Sequence, residues 1–127
     1  ATIHIIGPEA LLPTNLPYPD VHSFSEPEHG LVDCDVVMPL RLQKERMQKG
    51  LIASEAEYHR AYGITYARLR PAREDVIVMH PGPMNRGIEI DHALADDPAY
   101  SRITQQVSNG VPMRMAIFDK LLGQRGQ

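Results

Sequence analysis

The sequence predicts an α/β fold, a parallel β-sheet flanked by helices on its faces, and three observations carry that prediction. Short apolar runs, at residues 2–6, 35–38 and 76–79, have the length and β-branched content of strands. Stretches with helix caps lie between them, and that alternation is the pattern of a parallel sheet covered by helices. The run at 76–79 then stops in His80-Pro81-Gly82-Pro83, the kind of strand-to-loop exit at which open α/β sheets build a ligand crevice.

In chain order, Thr2-Ile3-His4-Ile5-Ile6 reads as a strand with a sharp exit at Gly7-Pro8. Residues 8–20 hold four prolines and predict loop or a short helical turn. Residues 21–24 alternate weakly, as a short strand does. Ser25-Glu26-Pro27-Glu28 supplies an N-cap and a first-turn proline for a helix to about residue 32. Residues 35–38 form the next buried strand, ended by Pro39, and 40–49 are charged, closed by Gly50. Ser54 with Glu57 makes a capping box for a helix to Tyr62, ended at Gly63. Thr65 caps a second short helix over 66–72. Beyond the 76–79 strand, 90–95 predicts one helical turn and 100–108 a helix ended by Asn109-Gly110. A final helix over 111–122 starts with Pro112 in its first turn and carries Val111, Met115, Phe118 and Leu122 as one apolar stripe.

At 127 residues the chain reads as a single domain, 1–127, with the composition of an ordinary globule. A net charge of −3 gives no electrostatic footprint for nucleic acid or an anionic membrane. No apolar run has the length of a membrane span, and no signal layout opens the sequence. The lone Cys34 excludes an internal disulfide framework, fits a cytoplasmic protein, and reads as a small core residue rather than a nucleophile. Strand-like sequence from residue 2, with no initiating Met, leads us to expect a piece of a longer α/β chain.

The chemistry-bearing residues gather on two loops expected at one edge of the sheet. Pro81 and Pro83 lock φ and push His80 and Gly82 out of helical geometry, leaving a stiff turn with free carbonyls. Gly82 lets another molecule approach the backbone. On the other loop, an extended chain past Pro39 points Arg41 and Gln43 the same way. A guanidinium fork matches a carboxylate, and Gln43 adds a neutral donor and acceptor. Glu45 is placed to orient Arg41, and Arg46 to pair with Glu89 across the crevice; the alternative for this loop is a solvated, charged helix start. His80 is placed either at the chemistry or as a packed imidazole supporting the turn. The six histidines show no metal-ligand spacing, so no metal is expected, and no glycine-rich phosphate loop or nucleophile elbow is present.

Taken together these residues resemble the aspartate carbamoyltransferase family, in its second, aspartate-binding domain. The resemblance rests on Asp35-Val36-Val37-Met38 with Arg41-Leu42-Gln43-Lys44-Glu45-Arg46, on Ser54-Glu55 through Tyr58, on Met79 to Gly87, and on Gln106-Val107-Ser108-Asn109-Gly110-Val111 with Arg114-Met115-Ala116. Pro81 stands where ornithine-using relatives typically carry Cys, which favours aspartate. The resemblance implies a Rossmann-like three-layer fold and transfer of a carbamoyl group from carbamoyl phosphate to L-aspartate in pyrimidine synthesis, with no cofactor. It implies that Arg41 binds an aspartate carboxylate with Gln43 close by, and that backbone carbonyls of Pro81, Gly82 and Pro83 hold the carbamoyl amide and the attacking amine. It also implies a closing loop at 47–62, a homotrimer, and a final helix packed on the first domain. The family's Ser-Thr-Arg-Thr loop, His-Pro-Thr-Gln segment and His-Ser-Arg-Val-Ala-Arg helix are missing from these residues. The N-terminal carbamoyl-phosphate domain is therefore absent, and no catalytic residue is assigned within the segment.

Two other readings compete. One is a non-catalytic binding or assembly protein that kept the carbamoyltransferase fold; such a copy is expected to lose Arg41 or the His-Pro-Gly-Pro turn, and both are intact. The other is an unrelated phosphate- or nucleotide-binding α/β domain, which predicts thermal protection by nucleotide.

Overall fold

The computed structural model describes residues 1–43 and 54–123. Glu45, Arg46 and most of the first half of the expected closing loop lie outside the described residues. Apolar β-branched residues form β1 (Ile3–Ile6), and β2 (Val21–Phe24) lies beside it in parallel, with Ile3 opposite Val21 and Ile6 opposite Phe24. The connection between them carries a single 3-10 turn at Glu9–Leu11, long enough for the crossover that parallel pairing demands. The short helix α1 (Pro27–Gly30) follows, with Pro27 at its start. Its N-cap is Glu26, one residue beyond the expected Ser25, and no side chain caps it.

The second parallel pair is β3 (Val36–Val37) with β4 (Ile77–Val78). The fold class is the expected one, parallel strands and helices, but the described strands stand in two separate pairs rather than in one sheet. Both strands of the second pair are shorter than their apolar runs, because Pro39 and Pro81 follow closely and lack the donors to continue a ladder. β4 is nevertheless paired on both sides. Met79 N–H donates to the Val37 carbonyl at 2.9 Å, while Val78 exchanges bonds of 2.9 Å with Tyr100 and Arg102 on its other edge.

Helix α2 (Glu55–Tyr62) opens on Ser54, whose side chain accepts the Glu57 N–H at 3.1 Å, and closes at Gly63, as its capping signals require. The helix expected over 66–72 is instead a run of turns. Thr65 still caps it through the Arg68 N–H, but the bonds Arg70 to Ala67 and Ala72 to Leu69 are three-residue closures that do not propagate. After β4, helix α3 (His92–Asp96) starts behind Asp91.

The two helices expected over 100–108 and 111–122 are one, α4 (Ile103–Gly123), with Pro112 in its interior. Pro112 removes the donor for the Ser108 carbonyl. Ser108 is exposed, so that carbonyl is open to water and the helix runs through both the proline and Gly110. The core is one cluster of Leu31, Val37, Ile64, Leu69, Val76, Val78, Ile90, Leu94, Ala95 and Ile103. It lies around β4, under α3 and the first turn of α4. Strand β3 is not buried on both faces as expected: Val37 is buried while Val36 and Met38 are about half exposed, so that one side of the pair lacks a covering layer.

Candidate functional site

The parallel pairing of β3 and β4 decides where the two chemistry-bearing loops go. Val36 faces Ile77 and Val37 faces Val78, so both strands deliver their C-terminal ends to the same edge. Continuing that register brings Pro39 level with His80. The Arg41 arm and the His80–Pro83 turn therefore leave the sheet side by side, one strand spacing of about 4.8 Å apart at their roots.

On the first loop, Leu42 is buried while Arg41 and Gln43 are exposed. This is the period of two of an extended chain: the leucine anchors the arm, and both polar side chains project away from it. Neither Arg41 nor Gln43 has a hydrogen-bond or ion-pair partner among the described residues. A guanidinium beside an amide is chemically suited to an anionic, carboxylate-bearing ligand.

The turn is held from beneath. Along β4 and its extension Val76, Val78 and His80 are buried and Ile77 and Met79 are half-buried, so the imidazole points into the core with the valines. His80 is fully buried and Glu89 is 1% exposed. The Gly82 N–H donates to His80 Nδ1 at 2.8 Å, which leaves the ring proton on Nε2, and Nε2 donates to Glu89 Oε1 at 3.2 Å. The same carboxylate oxygen accepts the Asn85 N–H at 2.5 Å. Glu89 Oε2 is buried with no partner among the described residues. A buried, unpaired carboxylate oxygen costs about 1–3 kcal/mol.

Above this support Pro81, Gly82 and Pro83 are exposed. Among the described residues no hydrogen bond ends on the carbonyl of His80, Pro81, Gly82 or Pro83. Gly82 has φ +64, and nothing lies within 4 Å of where a Cβ would stand, so glycine is needed for the backbone conformation rather than for space. A row of carbonyl acceptors on exposed residues, unused by the described chain, is what an NH₂ or NH₃⁺ group needs.

The strand register thus sends the loop that carries Arg41 and Gln43 and the turn of Pro81, Gly82 and Pro83 off the same sheet edge, with His80 and Glu89 beneath the turn. Of the two roles left open for His80, the buried imidazole takes the structural one. Glu45 and Arg46, and with them the pairing of Arg46 with Glu89, lie outside the described residues. One residue escaped sequence reasoning: Gln106, on the first turn of α4, accepts the His80 N–H at 2.9 Å. The phase of His80 with Val76 and Val78 was the available signal for its burial. Gln106 stands in a stretch that carries the family resemblance, but no signal gave it a role, because its partner is 26 positions away.

The remaining candidates are structural. Cys34 Sγ lies 3.3 Å from the Gly30 carbonyl and 3.6 Å from His4 Nδ1. Burial pushes its thiol pKa up, and the carboxylates of Asp35 and Asp33 push it the same way, so it is a poor nucleophile. Among the described residues no group of three or more His, Cys, Asp or Glu is placed to hold a metal ion, and no helix is long and apolar enough to cross a membrane.

Comparison with known proteins converges on one family. The model of the aspartate/ornithine carbamoyltransferase Asp/Orn-binding domain matches residues 14–121. The aspartate carbamoyltransferase catalytic subunit of Granulibacter bethesdensis is 50% identical over 125 residues, which cover 98% of this chain and 40% of that protein. The aspartate transcarbamoylase of Trypanosoma cruzi, solved with carbamoyl aspartate and phosphate, is 30% identical with a TM-score of 0.69, over 92% of this chain and 39% of that one. The ornithine carbamoyltransferase of Burkholderia thailandensis superposes with a TM-score of 0.74 over 93% of this chain and 38% of that one, at 15% identity, a likeness of fold alone. The chain spans about two-fifths of the length of the curated relatives it matches.

Proposed function

Because this chain belongs to the aspartate/ornithine carbamoyltransferase family, as its Asp/Orn-binding domain, we propose that it supplies the aspartate-side half of a site that transfers a carbamoyl group to L-aspartate. The observation that carries the reading is that a guanidinium arm and a row of carbonyls, neither with a hydrogen-bond partner among the described residues, leave the sheet at one edge. Arg41 grips a carboxylate of aspartate, with Gln43 beside it. The carbonyls of Pro81, Gly82 and Pro83 accept from the carbamoyl NH₂ and from the attacking amine. The amine nitrogen bonds to the carbamoyl carbon and loses a proton, while the carbon–oxygen bond to phosphate breaks and phosphate leaves with its electron pair. The products are N-carbamoyl-L-aspartate and phosphate, the step that serves pyrimidine synthesis in the family.

Among the described residues of this half of the site none is assigned to donate or remove a proton; they align two reactants and orient charge, which is enough for a large rate advantage once both are bound. Aspartate is preferred to ornithine as acceptor, on Pro81 in the turn and on the names of relatives at 50% identity. Carbamoyl phosphate is anchored by an N-terminal domain outside this chain, in an enzyme that assembles as a homotrimer.

The test is turnover. This chain alone forms no carbamoyl aspartate, whereas the same chain joined to a cognate carbamoyl-phosphate domain forms it from carbamoyl phosphate and aspartate, and not from ornithine. Turnover by the isolated chain, or ornithine use by the joined enzyme, contradicts the reading.

A further inference from the structure

We propose that Gln106 is a positioning residue for the carbonyl turn, coupling the first turn of α4, through the His80 ring, to the orientation of the Pro81 carbonyl. The inference rests on the half-site reading above and adds a residue to it. Two facts place Gln106. Residues 100–102 pair with β4 through the bonds of Val78 to Tyr100 and Arg102, and the helix begins directly after, with the Gln106 N–H donating to the Arg102 carbonyl at 2.8 Å. The start of α4 is thereby fixed beside the end of β4, and a side chain one turn into the helix reaches the His80 backbone.

A backbone N–H meets only an acceptor, so Gln106 must present its Oε1 there. Pro81 and Pro83 have no N–H, so the only main-chain donors at the turn are those of His80, at its entry, and Gly82, at its apex. Gln106 holds the first at 2.9 Å, and the His80 ring, itself held by Glu89, takes the second at 2.8 Å. The Gly82 N–H shares its peptide plane with the Pro81 carbonyl, so its bond to the His80 ring turns that carbonyl away from the imidazole. The Gln106 bond fixes the preceding Met79–His80 plane, from which the ring is carried. Loss of Gln106 frees the entry to the turn, tilts the imidazole that follows, and loosens the Gly82 bond that depends on it.

The experiment uses the full-length enzyme that carries this segment, with Gln106→Ala and Gln106→Glu, the latter keeping an oxygen acceptor. Two readouts are taken: exchange of the Gly82 amide, and the KM values for carbamoyl phosphate and aspartate. Gln106→Ala is expected to lose Gly82 protection by about tenfold or more and to raise the carbamoyl-phosphate KM by about tenfold, the worth of one hydrogen bond, while the aspartate KM stays within about twofold. Gln106→Glu restores most of both. Unchanged Gly82 exchange in Gln106→Ala overturns the proposal, and so does lost protection with unchanged carbamoyl-phosphate KM. A parent enzyme with no carbamoyl transfer, but with Gly82 exchange responding as described, overturns the functional reading and leaves the coupling of helix to turn standing.

Discussion

At the scale of single residues, the buried pair of His80 and Glu89 has the sharpest energetic consequences. Glu89 Oε1 serves two donors, the His80 ring and the Asn85 N–H. Truncation to Ala leaves the buried His80 Nε2–H and the half-buried Asn85 N–H without their acceptor, and each unsatisfied buried donor costs about 1–3 kcal/mol. Glu89→Gln keeps an oxygen toward both donors and puts an NH₂ group where Oε2 has no partner among the described residues. We expect Glu89→Ala to lose about 3 kcal/mol in urea unfolding and Glu89→Gln to lose about 1 kcal/mol or less. Equal losses would mean that the carboxylate charge, which both substitutions remove, and not hydrogen bonding or volume holds this corner. The polarity of the site was legible at this scale, because Arg41 and Gln43 flank a buried leucine and a proline-stiffened turn leaves its carbonyls free. The support beneath it was only half legible. Burial of His80 follows from its phase with Val76 and Val78, but the reach of Gln106 across 26 positions is a product of folding.

Among elements, local signals succeeded where a side chain makes the stop or start and failed where tertiary context overrides it. Helix α2 begins and ends where Ser54 and Gly63 dictate, and Ser54→Ala should cost about 1 kcal/mol of stability by removing the cap on the Glu57 N–H. Asn109-Gly110 and Pro112 look like the gap between two helices, yet α4 runs through them. Its pattern gave no sign of continuity, because the bond lost at Ser108 is on the solvent side. Strand lengths were overestimated for the opposite reason, since apolar runs continue past the point at which proline ends pairing.

Helix α3 is tied to the segment after the turn by the paired contacts of Arg86 with Asp96, at 2.5 and 2.8 Å. The hydrogen bond from Arg86, more than its charge, holds the Asp96 carboxyl below its ordinary value. A carboxyl whose folded pKa is lowered stabilises the fold above its unfolded value, and that contribution fades as pH falls through the folded one. Acid unfolding of Asp96→Asn should therefore lack a small component at and below the usual carboxylate range, with stability at pH 3 closer to that of the parent than at pH 7. A constant difference between the two across that range would remove the ion pair from the account.

For the molecule as a whole, what stands out is the apolar surface left without cover. Val111, Met115, Phe118 and Leu122 are each about 60% exposed, as are Met113 and Leu121 around the same helix, and Val36, Met38 and Leu40 extend the exposure to the outer side of β3. The single stripe read from the sequence is thus part of a helix exposed on all sides beyond its first turns. Surfaces of this kind drive association. The isolated chain should sediment as concentration-dependent oligomers, and Phe118→Glu should shift it toward monomer; a monodisperse monomer at high concentration would contradict this. The α/β class, the parallel pairing and the loops at one edge could all be read from the chain. The missing covering layers could not, because a sequence marks which faces are apolar and not what meets them.

The central claim is that a guanidinium and a row of carbonyls at one sheet edge divide the recognition of an amino-acid acceptor between them. The most direct test is the Arg41→Ala substitution in the enzyme formed with a cognate carbamoyl-phosphate domain, read as the KM for aspartate and the binding constant for carbamoyl phosphate. Loss of a charge-assisted contact of about 1.5–3 kcal/mol predicts an aspartate KM raised by roughly 10- to 100-fold, with carbamoyl-phosphate binding unchanged. An unchanged aspartate KM would contradict the account.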